Sequence, residues 1–178
     1  MSTTTISSPQ TQADPTTTAQ ATGGKYLTFG IGSEEFGVQI LKVREIIGLM
    51  DITAVPQMPH YVRGVINLRG KVIPVMSLRL KFGLPEVENT EQTCVIVVDV
   101  GRDVGIIVDR VSEVADIPGS SIEPPPKIGH GANTQFILGM GKVNEQVKIL
   151  LDINAVLDNS ELANFGEFED SSDETPSL

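Results

Sequence analysis

Tryptophan is absent from this 178-residue chain, cysteine occurs once as Cys94, and His60 and His130 are the only histidines. A disulfide framework therefore cannot form within one chain, and neither can a zinc site with three or four Cys/His ligands. Long apolar runs are also missing. The longest uninterrupted one is Cys94–Val98, against the roughly 20 residues that span a bilayer. The first 24 residues contain no Lys or Arg, so the basic start of a signal or transit peptide is lacking. Bases are scarce overall, 13 against 23 acids, for a net charge of -10 and a pI near 4.6. A polyanion needs basic residues gathered on one face. The expectation is a soluble, cytoplasmic protein that neither inserts into a membrane nor binds nucleic acid.

What is present divides the chain into three. Residues 1–24 hold eleven Ser or Thr, one charge (Asp14) and a closing Gly23-Gly24, too little apolar surface to offset the entropy of ordering a backbone, so a disordered tail is expected. Residues 159–178 carry six carboxylates and no base; Leu162, Phe165 and Phe168 suit a short helix, and the rest reads as a solvated acidic tail. Seven of the net ten negative charges thus lie in the ends, leaving roughly -3 on residues 25–158.

Within 25–158 the apolar residues follow period 2 more often than 3.6. Leu27, Phe29 and Ile31 alternate with small or polar neighbours, as do Phe36, Val38 and Ile40, on either side of a turn-like Gly32-Ser33-Glu34-Glu35. Further strand-like runs are Val62–Ile66, Val72–Met76, Thr93–Val100, Val104–Val108, Val111–Ile117 and Val147–Leu151, with Gly101-Arg102-Asp103 as a tight connection. Short strands with frequent turns predict small antiparallel barrels or a sandwich. Helix is expected only at Pro59–Arg63, Ser77–Phe82 and Asn154–Phe165.

The chain also resembles itself. Gly37–Ile46 aligns without gaps on Gly105–Val114, pairing Gly37 with Gly105, Lys42 with Arg110, Val43 with Val111 and Glu45 with Glu113. A weaker echo sets Gly64, Val72 and Leu78 against Gly139, Val147 and Ile153. Chance similarity between strands is one account. The simpler one is two strand-rich subdomains of about 60 residues, each too small to be secure alone and so sharing an apolar seam.

Candidate chemistry is sparse. Asp99 ends the apolar run Val95–Val98 as a Mg²⁺-binding or phosphate-accepting carboxylate would, but no phosphate loop and no paired acid accompany it. A strand end before the Gly101 turn is the better reading, with a nucleotide- or Mg²⁺-binding regulator as its competitor. Gly139-Met140-Gly141-Lys142 reads as a turn, Cys94 as a buried small hydrophobe, and the two histidines as loop or surface residues. Asn67-Leu68-Arg69-Gly70 fits a type I turn closed by a left-handed residue, with Arg69 at or beside a hairpin tip. There Arg69 either faces solvent or binds a carboxylate at an interface.

Three segments resemble the CheW-type chemotaxis coupling proteins: Phe36–Ile46, Val62–Gly83 (VRGVINLRGKVIPVMSLRLKFG) and Val104–Val114. The resemblance spans residue 25 to about 158. It implies a mainly β fold of two five-stranded, SH3-like barrels (roughly 36–83 and 93–150, with exchanged ends) over a common hydrophobic core, few short helices, and no catalysis, metal or cofactor. It further implies an adaptor that joins the hairpin tip of a chemoreceptor's cytoplasmic domain to the regulatory barrel domain of a histidine kinase within signalling arrays. The family's receptor-side positions fall on Val43, Glu45, Gly64, Arg69, Gly70, Val111 and Val114, in a groove between the barrels, and its kinase-side positions near Ile52 and Arg63. A Glu45–Arg69 charge pair follows, whereas Glu113 has Asn144 where Arg69 would be. The same adaptor could serve a pilus-motility or second-messenger array.

Overall fold

The computed structural model describes residues 23–125 and 135–157. The expected N-terminal disorder at 1–22, most of the C-terminal helix and acidic tail, and His130 lie outside these residues. Among the described residues eleven strands form two sheets. The five-stranded sheet contains β3 (Val43–Gly48), β4 (Val62–Leu68), β5 (Lys71–Ser77), β6 (Cys94–Asp99) and β7 (Asp103–Val108), in the order β3-β6-β7-β5-β4. The six-stranded sheet contains β1 (Gly24–Ile31), β2 (Glu34–Gln39), β8 (Arg110–Ile117), β9 (Ile122–Glu123), β10 (Ile137–Val143) and β11 (Gln146–Leu151), in the order β8-β1-β2-β11-β10-β9. The architecture is thus mainly β with two β subdomains. Among the described residues the α-helices α1 (Leu78–Lys81) and α2 (Ile153–Val156) are single turns that follow β5 and β11.

The internal repeat is a property of the fold. The order β3-β6-β7-β5-β4 becomes β8-β1-β2-β11-β10 when each strand is exchanged for its repeat partner, and α1 exchanges with α2. The sixth strand is no exception, because β9 pairs with Met140 and Gly141 as the isolated Thr53 bridge pairs with Val65. The chain changes sheets twice at equivalent places, between β2 and β3 through a 3₁₀ turn at Ile40–Lys42, and between β7 and β8 at Asp109.

This exchange explains the matched glycines. Each sheet contains one parallel pair, β2 with β11 and β7 with β5, which sets Gly37 beside Leu150 and Gly105 beside Val75. A Cβ at Gly37 would lie 2.9 Å from Leu150 Cδ2, and one at Gly105 would lie 2.8 Å from Val95 Cγ1 and 3.3 Å from Val75 Cγ2. Side chains from the neighbouring strand fill the space a larger residue would need.

The largest core cluster draws on both sheets, with Leu27, Phe29, Ile31 and Val38 meeting Met76, Ile96, Val98, Val104 and Ile106. A run of stacked rings, Phe29–Phe36–Phe82–Phe136, crosses the seam with centroid separations of 5.9, 5.3 and 5.6 Å. Smaller clusters fill each subdomain separately, one around Ile66, Ile73, Val75, Val95 and Val97, the other around Tyr26, Ala115, Ile117 and Leu150. Burying a side chain of this size stabilises by roughly 1.5–3 kcal/mol, and most such side chains here are shared.

Two local expectations need correction. Gly139-Met140-Gly141-Lys142 is the middle of β10, not a turn. Its glycines admit neighbours on the strand: a Cβ at Gly139 would lie 2.7 Å from Ile122 Cγ2 and 2.8 Å from the Glu123 carbonyl oxygen. Pro59–Arg63 is a reverse turn closed by Val62 N–H donating to Pro59 O at 3.0 Å, leading directly into β4. Ser77–Phe82 does form a helical turn, with Ser77 Oγ accepting from Leu80 N–H and Phe82 N–H donating to Leu78 O.

Each subdomain also anchors its first hairpin with a carboxylate. Glu35 accepts from Arg110 and Ser112 and lies 3.8 Å from the buried Lys148 ammonium. At the matching place Asp103 meets Arg44 and Lys71. Burial disfavours the charged form of Glu35, but the hydrogen bonds from Arg110 and Ser112 and the charges of Lys148 and Arg110 outweigh it, so its pKa lies below the ordinary value.

Gly105→Ala should cost about 1–3 kcal/mol in urea unfolding, because stiff β-branched neighbours cannot rotate away. Gly37→Ala should cost less, since the atom it meets is the flexible end of Leu150; equal costs would contradict the packing described. Because the Glu35 pKa is depressed on folding, its contribution is complete above the unfolded value, ordinarily 4.5, and is lost as pH falls through the folded one. Glu35→Gln should therefore destabilise at pH 7, and the gap from the unmutated protein should close in acid.

Candidate protein interaction surface

Leu68 pairs with Lys71 across the β4–β5 hairpin, leaving a two-residue loop of Arg69 and Gly70. Both have positive φ, 53° and 83°, as a type I′ turn requires. The expected type I turn is thereby corrected, since only the mirror-image turn matches the right-handed twist of strands joined by two residues. Asn67 Oδ1 accepts from Gly70 N–H at 2.9 Å and secures the loop. Arg69 is thus held at the tip in a conformation that favours Gly or Asn.

The guanidinium reaches back to β3. Arg69 Nη1 donates to Glu45 Oε1 at 2.6 Å and Nη2 to Oε2 at 2.9 Å, a two-pronged pair that raises the Arg69 pKa above its ordinary value. The Arg69 side chain stays 75% exposed, against 26% for Glu45. The carboxylate is therefore seated while the cation projects. An exposed pair adds little to stability, but it fixes where the positive charge is presented. In the second subdomain Glu113 uses its backbone to bond Thr28 Oγ1, and its carboxylate makes no ion pair among the described residues. Asn144 and Glu145 occupy the matching tip, also with positive φ.

Gly64 has a φ of 138°, and a Cβ there would lie 2.0 Å from the Thr53 carbonyl oxygen. The backbone that closes on Gly64 is therefore the chain's own, through the paired hydrogen bonds of Thr53 and Val65 at 2.9 Å. Val43 and Val111 are half-buried and pack on the core common to both sheets. Val114, on β8, is 51% exposed. Val43, Glu45 and Gly64 thus lie in the five-stranded sheet with Arg69 and Gly70 at one of its hairpin tips, while Val111 and Val114 belong to the other sheet.

Ile52 and Arg63 line one small depression of about 80 Å³, together with Leu49, Glu86 and Val87. Ile52 packs on the five-stranded sheet's own cluster, and Arg63 pairs with Glu86 at 2.7 Å. Sequence reasoning missed several exposed apolar side chains: Leu41, 93% exposed beside Val43, and Ile46 and Val72, which match Val114 and Val147 in the repeat. The signal for Leu41 was available, because its repeat partner is Asp109, a polar residue whose carboxylate accepts from Gly32 N–H.

The residues weighed for other chemistry are occupied structurally. Asp99 Oδ1 accepts from Gly101 N–H at 2.9 Å and Oδ2 from Arg44 at 2.7 Å. The Gly101 bond and the nearby cations keep its pKa low. Burial pushes the Cys94 thiol up, away from a reactive thiolate. Among the described residues no cluster of His, Cys, Asp or Glu could hold a metal ion, and no helix is long and apolar enough to cross a membrane.

A family model described as the CheW-like domain matches residues 25–161. The chain belongs to that family. It is 39% identical over 145 residues to a chemotaxis protein CheW of Klebsiella aerogenes, covering 81% of this chain and 87% of that one. It is also 36% identical over 139 residues to a chemotaxis protein CheW of Bacillus subtilis, covering 77% and 88%. Among solved structures it is similar to the scaffolding protein TtCheW of Thermoanaerobacter tengcongensis, with a TM-score of 0.71, 34% identity, and coverage of 76% of this chain and 93% of that one. CheW-family proteins are scaffolds and adaptors rather than enzymes, and they serve to couple receptors to a kinase in chemotaxis signalling.

Gly64→Ala should destabilise by about 3 kcal/mol or more, because it sets a Cβ against a backbone oxygen at a φ that side chains avoid. Arg69→Asn should leave the melting temperature almost unchanged, since Asn tolerates the left-handed tip; a large drop would show that the Glu45 pair holds the hairpin together.

Proposed function

We propose that this chain is an adaptor whose receptor-side surface, formed by Val43, Glu45, Gly64, Arg69, Gly70, Val111 and Val114, takes the helical hairpin tip of a chemoreceptor's cytoplasmic domain. The kinase-side surface near Ile52 and Arg63 takes the regulatory barrel domain of the histidine kinase. The observation that supports this reading most is the seated Glu45–Arg69 pair, which fixes the place of an exposed cation at the hairpin tip.

The chemistry of each side follows from these residues. A receptor hairpin tip is an α-helical surface, and such a surface docks by placing apolar side chains in contact and charges in register. Val43, Val114 and the exposed Leu41 supply the apolar contact, and Arg69 selects a carboxylate or a carbonyl on the helix. Gly64 keeps Thr53 close to β4 and so shapes the adjoining surface rather than touching the partner through a side chain. On the kinase side, the depression between Ile52 and Arg63 offers an apolar floor with a charged rim, which suits a related β domain. Ternary complexes of this kind would gather the adaptor into arrays beneath a membrane without any contact of its own with lipid.

A charge exchange tests the reading. Arg69→Glu should abolish capture of a purified receptor cytoplasmic fragment while leaving capture of the kinase's barrel domain intact, and Glu45→Arg combined with Arg69→Glu should recover the fold of the tip but not receptor binding. Ile52→Glu with Arg63→Glu should do the reverse. Unchanged receptor capture by Arg69→Glu would place the receptor elsewhere.

A further inference from the structure

A wide groove lies away from the Glu45–Arg69 surface, along the seam at the α1 end of β5. It has a volume of about 860 Å³ and an apolar floor of Ile31, Phe36, Phe82, Phe136, Ile137 and Ile149. Both subdomains contribute: β1, β2, β10, β11 and α2 line one side, and Lys81, Phe82 and Leu84 the other. An apolar groove of this size left open to water would forfeit much of the burial that the shared seam provides.

The chain supplies a fitting occupant. Of its six phenylalanines, four form the stack that borders the groove, and the other two are Phe165 and Phe168. The described fold ends at Leu157, one residue past Asn154-Ala155-Val156, which themselves line the groove. Leu162 is five residues further on, and Leu162, Phe165 and Phe168 recur every third position, the spacing of one helical face. Five residues reach roughly 8 Å as helix or 16 Å extended. The other end of the chain is a poorer match, because residues 1–22 hold no aromatic residue and only Met1 and Ile6 as large apolar side chains.

We propose that Leu162 and Phe165, with Phe168 behind them, seat in this groove, so that the segment after Leu157 clasps the two β subdomains together while the acidic residues beyond remain in solvent. This assignment is independent of which proteins the opposite surface binds.

The absence of tryptophan makes the test direct. In the full chain, Phe136→Trp places a single indole in the groove wall. Adding Leu162→Glu and Phe165→Glu should shift its emission toward that of indole in water and raise binding of an apolar dye, with far-UV circular dichroism confirming that the sheets persist. In the unmutated full chain, amides of 160–166 should exchange at least about tenfold more slowly than in the isolated 158–178 peptide. Unchanged emission in the double variant together with unprotected amides would overturn the proposal. So would an emission shift that follows replacement of residues 127–133 by Gly and Ser instead, or one that depends on protein concentration, which would give the groove to the internal loop or to a second copy.

Discussion

The two sheets cannot be separated, because the core that stabilises each is built mostly from the other. A β subdomain of some 60 residues buries too little apolar surface to offset the entropy of ordering its backbone. Here the shortfall is met by passing the chain from one sheet to the other between β2 and β3 and again between β7 and β8, so that Leu27, Phe29 and Val38 pack against Met76, Ile96 and Ile106. Each crossing brings a parallel strand pair, and each pair brings a glycine whose missing side chain leaves room for one from the neighbouring strands. Gly37 and Gly105 are consequences of that arrangement rather than features of any binding site.

Near-symmetry in the scaffold makes the asymmetry at the hairpin tips informative. Both tips adopt the same left-handed pair of residues, and both neighbouring edge strands carry a glutamate at the same place. Only the first tip has a base to meet its acid. The second keeps Asn144, and Glu113 spends its backbone on Thr28. The acid clamps at Glu35 and Asp103, by contrast, survive in both halves with different bases around them. The interactions that hold the hairpins are therefore duplicated, whereas the one that aims a charge outward occurs once. A specificity element needs one copy and a defined direction, and a stability element benefits from repetition.

Most of the strands were legible in the sequence because buried β-branched runs such as Val95–Val98 have no other comfortable conformation. The repeat made the two-subdomain plan legible as well. What escaped the reading was set by tertiary contact. Gly139 and Gly141 looked like turn residues, yet they sit in mid-strand because Ile122, Glu123 and Ile117 press on them. The tip turn was placed correctly but assigned the wrong hand, since its type follows from strand twist and loop length more than from the residues alone. Val43, Glu45, Arg69 and Val114 are proposed for the receptor side from resemblance alone; spacing had left Arg69 divided between solvent and an interface. Leu41 was missed although the repeat marks it, because it stands where its partner Asp109 is polar.

The interleaving of the sheets has a consequence for how the chain comes into being. β1 and β2 emerge first from the ribosome, but their neighbours in the finished sheet are β8 on one side and β11 on the other. The earliest hairpin must wait, with both edges unsatisfied, until almost the whole protein has been synthesised. The middle sheet, from β3 to β7, is contiguous in sequence and needs no later strand to complete its ladder, so a single cut between the halves would leave the outer sheet without its partners.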